Sequence, residues 1–229
     1  MKDVNKRLTL LGLILISVNF LVIYYGDLQL IRILKLISTV TIFSAFFSIL
    51  KKAERSLLAV FFFLTLADIF LLNYEVVWVK KLTFIAVIAA YTALMLHIKP
   101  LIRNLKTTVF QKIVFLVVLG INVLMLYVLI QMVHYRLDDN WHSFLFYIYG
   151  IAMIIMVILA FSYSNRYSNK ASFYFVCSVL AFVFSDITSF IGYYMDLEEF
   201  YSAARLFYLL SLLGLIKFAT QDKSEGILT

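Results

Sequence analysis

Along the chain, long apolar blocks alternate with short charged breaks; apolar and polar positions do not alternate singly. The blocks fall at 8–26, 29–50, 56–74, 82–98, 113–131, 143–161, 171–194 and 201–219. Each holds roughly 17 to 24 residues, the length a helix needs to cross about 30 Å of hydrocarbon at about 1.5 Å per residue. The missing period of two argues against a β-barrel. The pattern predicts an all-α polytopic membrane protein, a compact bundle of eight transmembrane helices forming one membrane domain over 1–229. Breaks such as KKAER, HYRLDDNWH and NRYSNK are short, so consecutive helices should be antiparallel neighbours with no soluble domain between them. The first block follows Lys2, Lys6 and Arg7 as a signal sequence would, but no small-residue cleavage pattern ends it, so it reads as a retained span.

Composition strengthens that reading. With 64% hydrophobic and 14% charged residues and a mean hydropathy of +0.98, the chain has too little polar surface to cover a soluble globule. The net charge of +7 lies in loops and not along one stripe, so it speaks for orientation in a cell membrane and not for nucleic acid. With both termini cytoplasmic, only Arg32, Lys35, Lys80, Lys81, Arg136 and Arg205 fall outside. The other fourteen of the 20 basic residues fall inside. Asp138, Asp139, Asp196, Glu198 and Glu199 then lie outside, beside an aromatic belt of Tyr24, Tyr25, Trp78, Trp141, Tyr193, Tyr194 and Tyr201. Pro100 is placed in a loop, so the broken helices of many transporters lack their usual sign. The single Cys177 offers no intrachain disulfide, and His97, His134 and His142 fall at span ends or in a loop without ligand spacing. No cofactor is expected.

The candidate chemistry lies in polar groups inside spans, where an ionisable group costs about 2.5–3.5 kcal/mol and faces the bundle interior. Asp68 in FLTLADIFLL and Asp186 in FVFSDITSF stand out. Spans three and seven run the same way, and counting back from Tyr74 and Tyr194 puts the two carboxylates about 9 and 12 Å below the outer boundary. The same arithmetic brings Lys35, Tyr149 and Tyr208 to nearly that layer, which predicts a polar chamber open toward the outer leaflet. The Asp segments resemble each other and occupy the third span of each four-span half, as a parallel repeat would place them. Packing alternatives stand beside this reading: Asp186 with Ser185 could bond across a helix interface, and Asp68 with Lys35 could be a structural ion pair.

Eight short spans, Asp68 closing the third, the Phe182, Ser185 and Asp186 cluster in the seventh, Lys35, Tyr149 with Met153, and Tyr208 together resemble the YhhN-like lysoplasmalogenase family. The resemblance covers essentially the whole chain. It departs at Leu36, where Pro is usual after Lys, at Ala67 for Gly, at Tyr91 for His, and at Ser211 for Gln. It implies hydrolysis of the vinyl ether of a lysophospholipid, releasing a fatty aldehyde and a glycerophospho-alcohol. Asp68 and Asp186 would be catalytic. Lys35 or Arg205 would meet the lipid phosphate, and Tyr91, Tyr149, Ser185 and Tyr208 would complete the substrate site. Membrane lipids are the other expected partners. A lipid-binding or proton-coupled transport protein, or an inactive member of the family, would carry the same intramembrane acids.

Overall fold

The computed structural model describes residues 2–50, 54–102, 109–133 and 139–224. Among them every regular element is an α-helix: α1 (Lys2–Tyr25), α2 (Leu28–Ile49), α3 (Arg55–Leu71), α4 (Val77–Ile102), α5 (Val109–Val133), α6 (Asn140–Tyr167), α7 (Lys170–Tyr194) and α8 (Phe200–Ser224). Six are long and apolar enough to cross a membrane: α1, α2, α4, α6, α7 and α8. The third helix has 17 residues, and the apolar run counted within α5 is Leu119–Met132. His134, Arg136 and Asp138 lie outside the described residues, as do Lys51, Lys52, Arg103 and Lys106.

The helices outrun the apolar blocks. The fourth takes in Lys80, Lys81 and Pro100, all expected in loops. Lysine is a good helix former whose apolar stem can run along packed surface. Pro100 sits in the last turn, where its missing N–H interrupts only the end of the hydrogen-bond ladder. Of the expected aromatic belt, Tyr24, Tyr25, Trp78 and Trp141 are exposed, whereas Tyr194 is buried, its ring 4.9 Å from that of Phe190.

The chain divides into two compact units, Met1–Arg55 with Ser168–Thr229, and Ser56–Tyr167. The second is inserted between α2 and α7, so the units are not the successive halves that a parallel repeat would give.

In the first unit α8 is central, packing against α7, α1 and α2. The α7–α8 hairpin is antiparallel, with Phe175 meeting Phe218, Phe182 meeting Tyr208 and Ser185 donating to the Ala204 carbonyl at 3.0 Å. Its close approach depends on Gly214: a Cβ there would run into the Ser178 hydroxyl. Small residues let membrane helices pack this tightly. Local signals set the starts. Asp27 caps α2 by accepting the Leu30 N–H at 2.7 Å, and Asn169 with Ser172 forms a capping box on α7. Such caps satisfy N–H groups that a helix start leaves without intrahelical partners.

In the second unit α6 packs on α4 and α5. The fourth and sixth helices run parallel: Phe84 meets Phe146, Tyr91 meets Tyr149, and the Tyr167 hydroxyl donates to the Leu101 carbonyl at 3.1 Å. The third helix is tied to α4 where the Ser56 hydroxyl bonds His97 Nδ1 at 2.8 Å. Its buried residues, Leu57, Val60, Phe61, Leu64, Ala67 and Asp68, recur at helical spacing. That spacing makes one stripe, with Asp68 at its far end.

Candidate functional site

Five of the expected site residues fall in the first unit: Lys35 on α2, Ser185 and Asp186 on α7, and Arg205 and Tyr208 on α8. Asp68 on α3, Tyr91 on α4 and Tyr149 on α6 belong to the second.

In the first unit the α7–α8 register brings Asp186 level with Arg205, because its neighbour Ser185 is bonded to Ala204. Asp186 is half-buried and Ser185 buried. Arg205 reaches across to α2, where its Nη2 donates to the Ile31 carbonyl at 3.1 Å. One turn along α8, Tyr208 carries Lys35 over its ring, Nζ 4.4 Å from the centroid. The Thr39 hydroxyl lies 3.1 Å from the Tyr208 hydroxyl and 3.0 Å from the Lys35 carbonyl, its one proton shared between them. Phe182 closes the ring's other approach edge-on, with centroids 6.3 Å apart. The aromatic face holds the ammonium by its quadrupole while the hydroxyl pins the ring, so Lys35 and Tyr208 are mutually oriented.

Arg32, one turn before Lys35, is buried to 5% exposure, as Arg205 is to 7%. Arg32, Tyr193, Asp196 and Glu198 all lie within electrostatic reach of Tyr201 at the start of α8. One turn beyond Lys35, Asn19 of α1 donates to Ser38 Oγ at 2.9 Å, continuing the polar seam along α2.

In the second unit Asp68 is 2% exposed. Tyr91 and Tyr149 stack with centroids 6.0 Å apart and planes 18° apart, and Phe84 meets Tyr149 edge-on at 5.5 Å. The aromatic column continues from Phe84 to the ring of His142, which is wholly buried. The backbone N–H of His142 donates to Asp139 Oδ1 at 2.7 Å, and Lys81 Nζ reaches Asp139 Oδ2 at 2.5 Å. The Lys81 hydrogen bond, followed by that from His142, holds the Asp139 carboxyl below its ordinary range. Both bonds favour its charged form.

Of the five groups expected in one layer, Lys35, Asp186 and Tyr208 fall in the first unit, where Lys35 meets the Tyr208 ring, and Asp68 and Tyr149 fall in the second. Sequence reasoning missed Arg32, counted as an outer-side charge, although its spacing of three from Lys35 puts both on one helix face. It also missed the burial of Lys80, Lys81 and His142, and no signal in the charged break marks it.

The pattern of the YhhN family matches residues 30–219, most of the chain. No curated protein and no solved structure matches it.

Proposed function

The chain belongs to the YhhN family, and on that premise we propose that it is a hydrolase of the cell membrane, crossing it eight times, that cleaves the vinyl ether of a lysophospholipid. The observation that carries this reading is Asp186: a half-buried carboxyl in an apolar helix, beside buried Ser185 and level with buried Arg205. An acid in such a place is a functional candidate by default.

The reaction needs one protonated acid and one anion. Asp186, protonated, delivers its proton to the β-carbon of the CH=CH–O group. The double bond is consumed, and the α-carbon becomes an oxocarbenium ion. Asp68 is assigned the carboxylate role, offsetting the developing positive charge and orienting water, which bonds the α-carbon and returns a proton to a carboxylate. The hemiacetal then breaks its bond to the glycerol oxygen, yielding a fatty aldehyde and a glycerophospho-alcohol. The exchanged assignment of the two acids gives the same products. Tyr208 orients the ether or the acid, and the apolar helices hold the tail; within the second unit Tyr91 supports Tyr149 by stacking.

Aldehyde release from a lysoplasmalogen by the detergent-purified chain tests the proposal, with Asp186→Asn and Asp68→Asn as controls. Release by the unaltered chain and its loss in folded variants is the expected result. No release by the unaltered chain refutes the reaction.

A further inference from the structure

Asn19 lies in the apolar run of α1, the helix that precedes the residues covered by the family pattern. It is 1% exposed and sits where α1 meets α2, its Nδ2 donating to Ser38 Oγ at 2.9 Å and to the Leu15 carbonyl at 2.8 Å. Those two bonds use both amide protons and fix which way the group faces. Turned over, the amide would set its own oxygen against the Leu15 carbonyl oxygen, acceptor to acceptor. Its oxygen therefore points away from both partners. Asn19 Oδ1 is buried and accepts no hydrogen bond among the described residues.

The hydroxyls of the same polar seam have their protons committed elsewhere. Ser38 donates to the Leu34 carbonyl at 2.7 Å, and Ser211 donates to the Tyr208 carbonyl at 2.6 Å. The Thr39 proton is shared between the Tyr208 hydroxyl and the Lys35 carbonyl. A buried amide oxygen without a donor is costly, more so in a span surrounded by hydrocarbon, and ordered water is the usual remedy. Such a water needs at least two polar contacts. Ser38 Oγ supplies the second, because a hydroxyl oxygen has two lone pairs and the Asn19 amide takes one.

We infer that Asn19 Oδ1 and Ser38 Oγ hold one water molecule between α1 and α2, as the two acceptors of its protons. The chemistry recognised is a small neutral O–H donor, which suits an amide and a hydroxyl oxygen that carry no net charge. Through Ser38 and the adjoining Thr39, the site extends the seam that reaches Tyr208 on α8. It does not depend on the proposed hydrolysis.

Infrared difference spectra of the full chain test this, purified in lauryldimethylamine oxide, a detergent without hydroxyl groups. Subtracting Asn19→Leu from the unaltered chain should leave a side-chain carbonyl band at the lowered frequency of a hydrogen-bonded amide. It should also leave an O–H stretching band that moves to lower frequency in heavy-oxygen water. Ser38→Ala should raise the frequency of that O–H band, since one of its two acceptors is gone, while Asn19 remains in place. Where Asn19→Leu does not fold, Asn19→Ser, which also lacks the carbonyl, serves as the reference. A carbonyl band at the frequency of an amide without a donor overturns the inference, as does the absence of an O–H band. An O–H band that heavy-oxygen water leaves in place also overturns it, and assigns the donor to the hydroxyl of a retained lipid. An O–H band unchanged by Ser38→Ala removes Ser38 from the site and with it the bridge between the two helices.

Discussion

Each unit buries cationic side chains, and the two settings are built differently. In the second, Lys81 meets a carboxylate at 2.5 Å, and that carboxylate also accepts the His142 N–H at the start of α6. One acid thereby serves as counterion and helix cap, two stabilising tasks at one place. In the first, Arg205 holds a backbone carbonyl, Lys35 lies over an aromatic ring, and Asp186 stands level with them in the middle of α7. Those contacts orient charges across three helices without closing a helix end. A charge at a helix start serves the fold by capping it, whereas an ionisable group at mid-helix in an apolar span is a functional candidate by default.

The comparison breaks most sharply at its acids. Asp186→Asn keeps the size and removes the proton donor, so aldehyde release should fall about a hundred- to ten-thousandfold, the usual worth of general acid catalysis. Thermal unfolding should move little. A variant that unfolds early but keeps its turnover per folded molecule would make Asp186 a packing group.

Asp139→Asn should behave in the opposite way, lowering the unfolding temperature by a few degrees and leaving turnover per folded molecule unchanged. The pH dependence follows from its lowered pKa. A carboxyl with a folded value below the unfolded one of about 3.9 stabilises the folded state fully above the unfolded value, and the contribution is lost as pH falls through the folded value. Unfolding temperatures of the unaltered chain and of Asp139→Asn, compared from pH 6 to pH 3, should therefore converge at the acid end. A constant gap across that range would remove Asp139 from the ion pair.

What the sequence disclosed follows the same division. The helical class, the α7–α8 hairpin and the mid-span polar residues of α2, α7 and α8 were legible because helical periodicity and polar breaks in apolar runs are local signals. The ends of α4 were not. Charge marked the breaks, yet Lys80 and Lys81 continue the helix with their stems against packed surface. Nor was the grouping of α1 and α2 with α7 and α8 legible, because depth arithmetic sets a residue's level but not the helix beside it. Arg32 was lost for a related reason: near the end of an apolar block, a buried guanidinium and a solvated one look alike.

Glycine substitutions sharpen the contrast in packing. A Cβ at Gly214 meets the Ser178 side chain, including its Cβ at 3.3 Å, with the α7 backbone Cα at 3.6 Å behind it. Relief there requires moving a helix, so Gly214→Ala should cost about 1–3 kcal/mol. The atoms nearest a Cβ at Gly150 are all of the flexible Leu126 side chain, Cδ1, Cδ2 and Cγ. A rotamer change relieves that contact, and the helix propensity of alanine returns about 1 kcal/mol. Gly150→Ala should then lie within about 1 kcal/mol of neutral. Equal losses would mean that the two interfaces are equally rigid.

The smallest expected effect separates the two functions of one side chain. Tyr208→Phe deletes the hydroxyl that shares the Thr39 proton but keeps the ring beneath Lys35. Thr39 retains its bond to the Lys35 carbonyl, so stability should fall by no more than about 1.5 kcal/mol, the net worth of one hydrogen bond. Turnover should fall by less than about tenfold if the hydroxyl only orients the ether or an acid, since tenfold corresponds to about 1.4 kcal/mol of barrier. Tyr208→Leu also removes the cation–π contact and the edge of Phe182, so it should cost more stability than Tyr208→Phe. If both substitutions lower stability alike, Lys35 is held by the hydroxyl network and not by the ring, and the charged groups of the first unit would be organised by hydrogen bonds like their counterpart at Asp139.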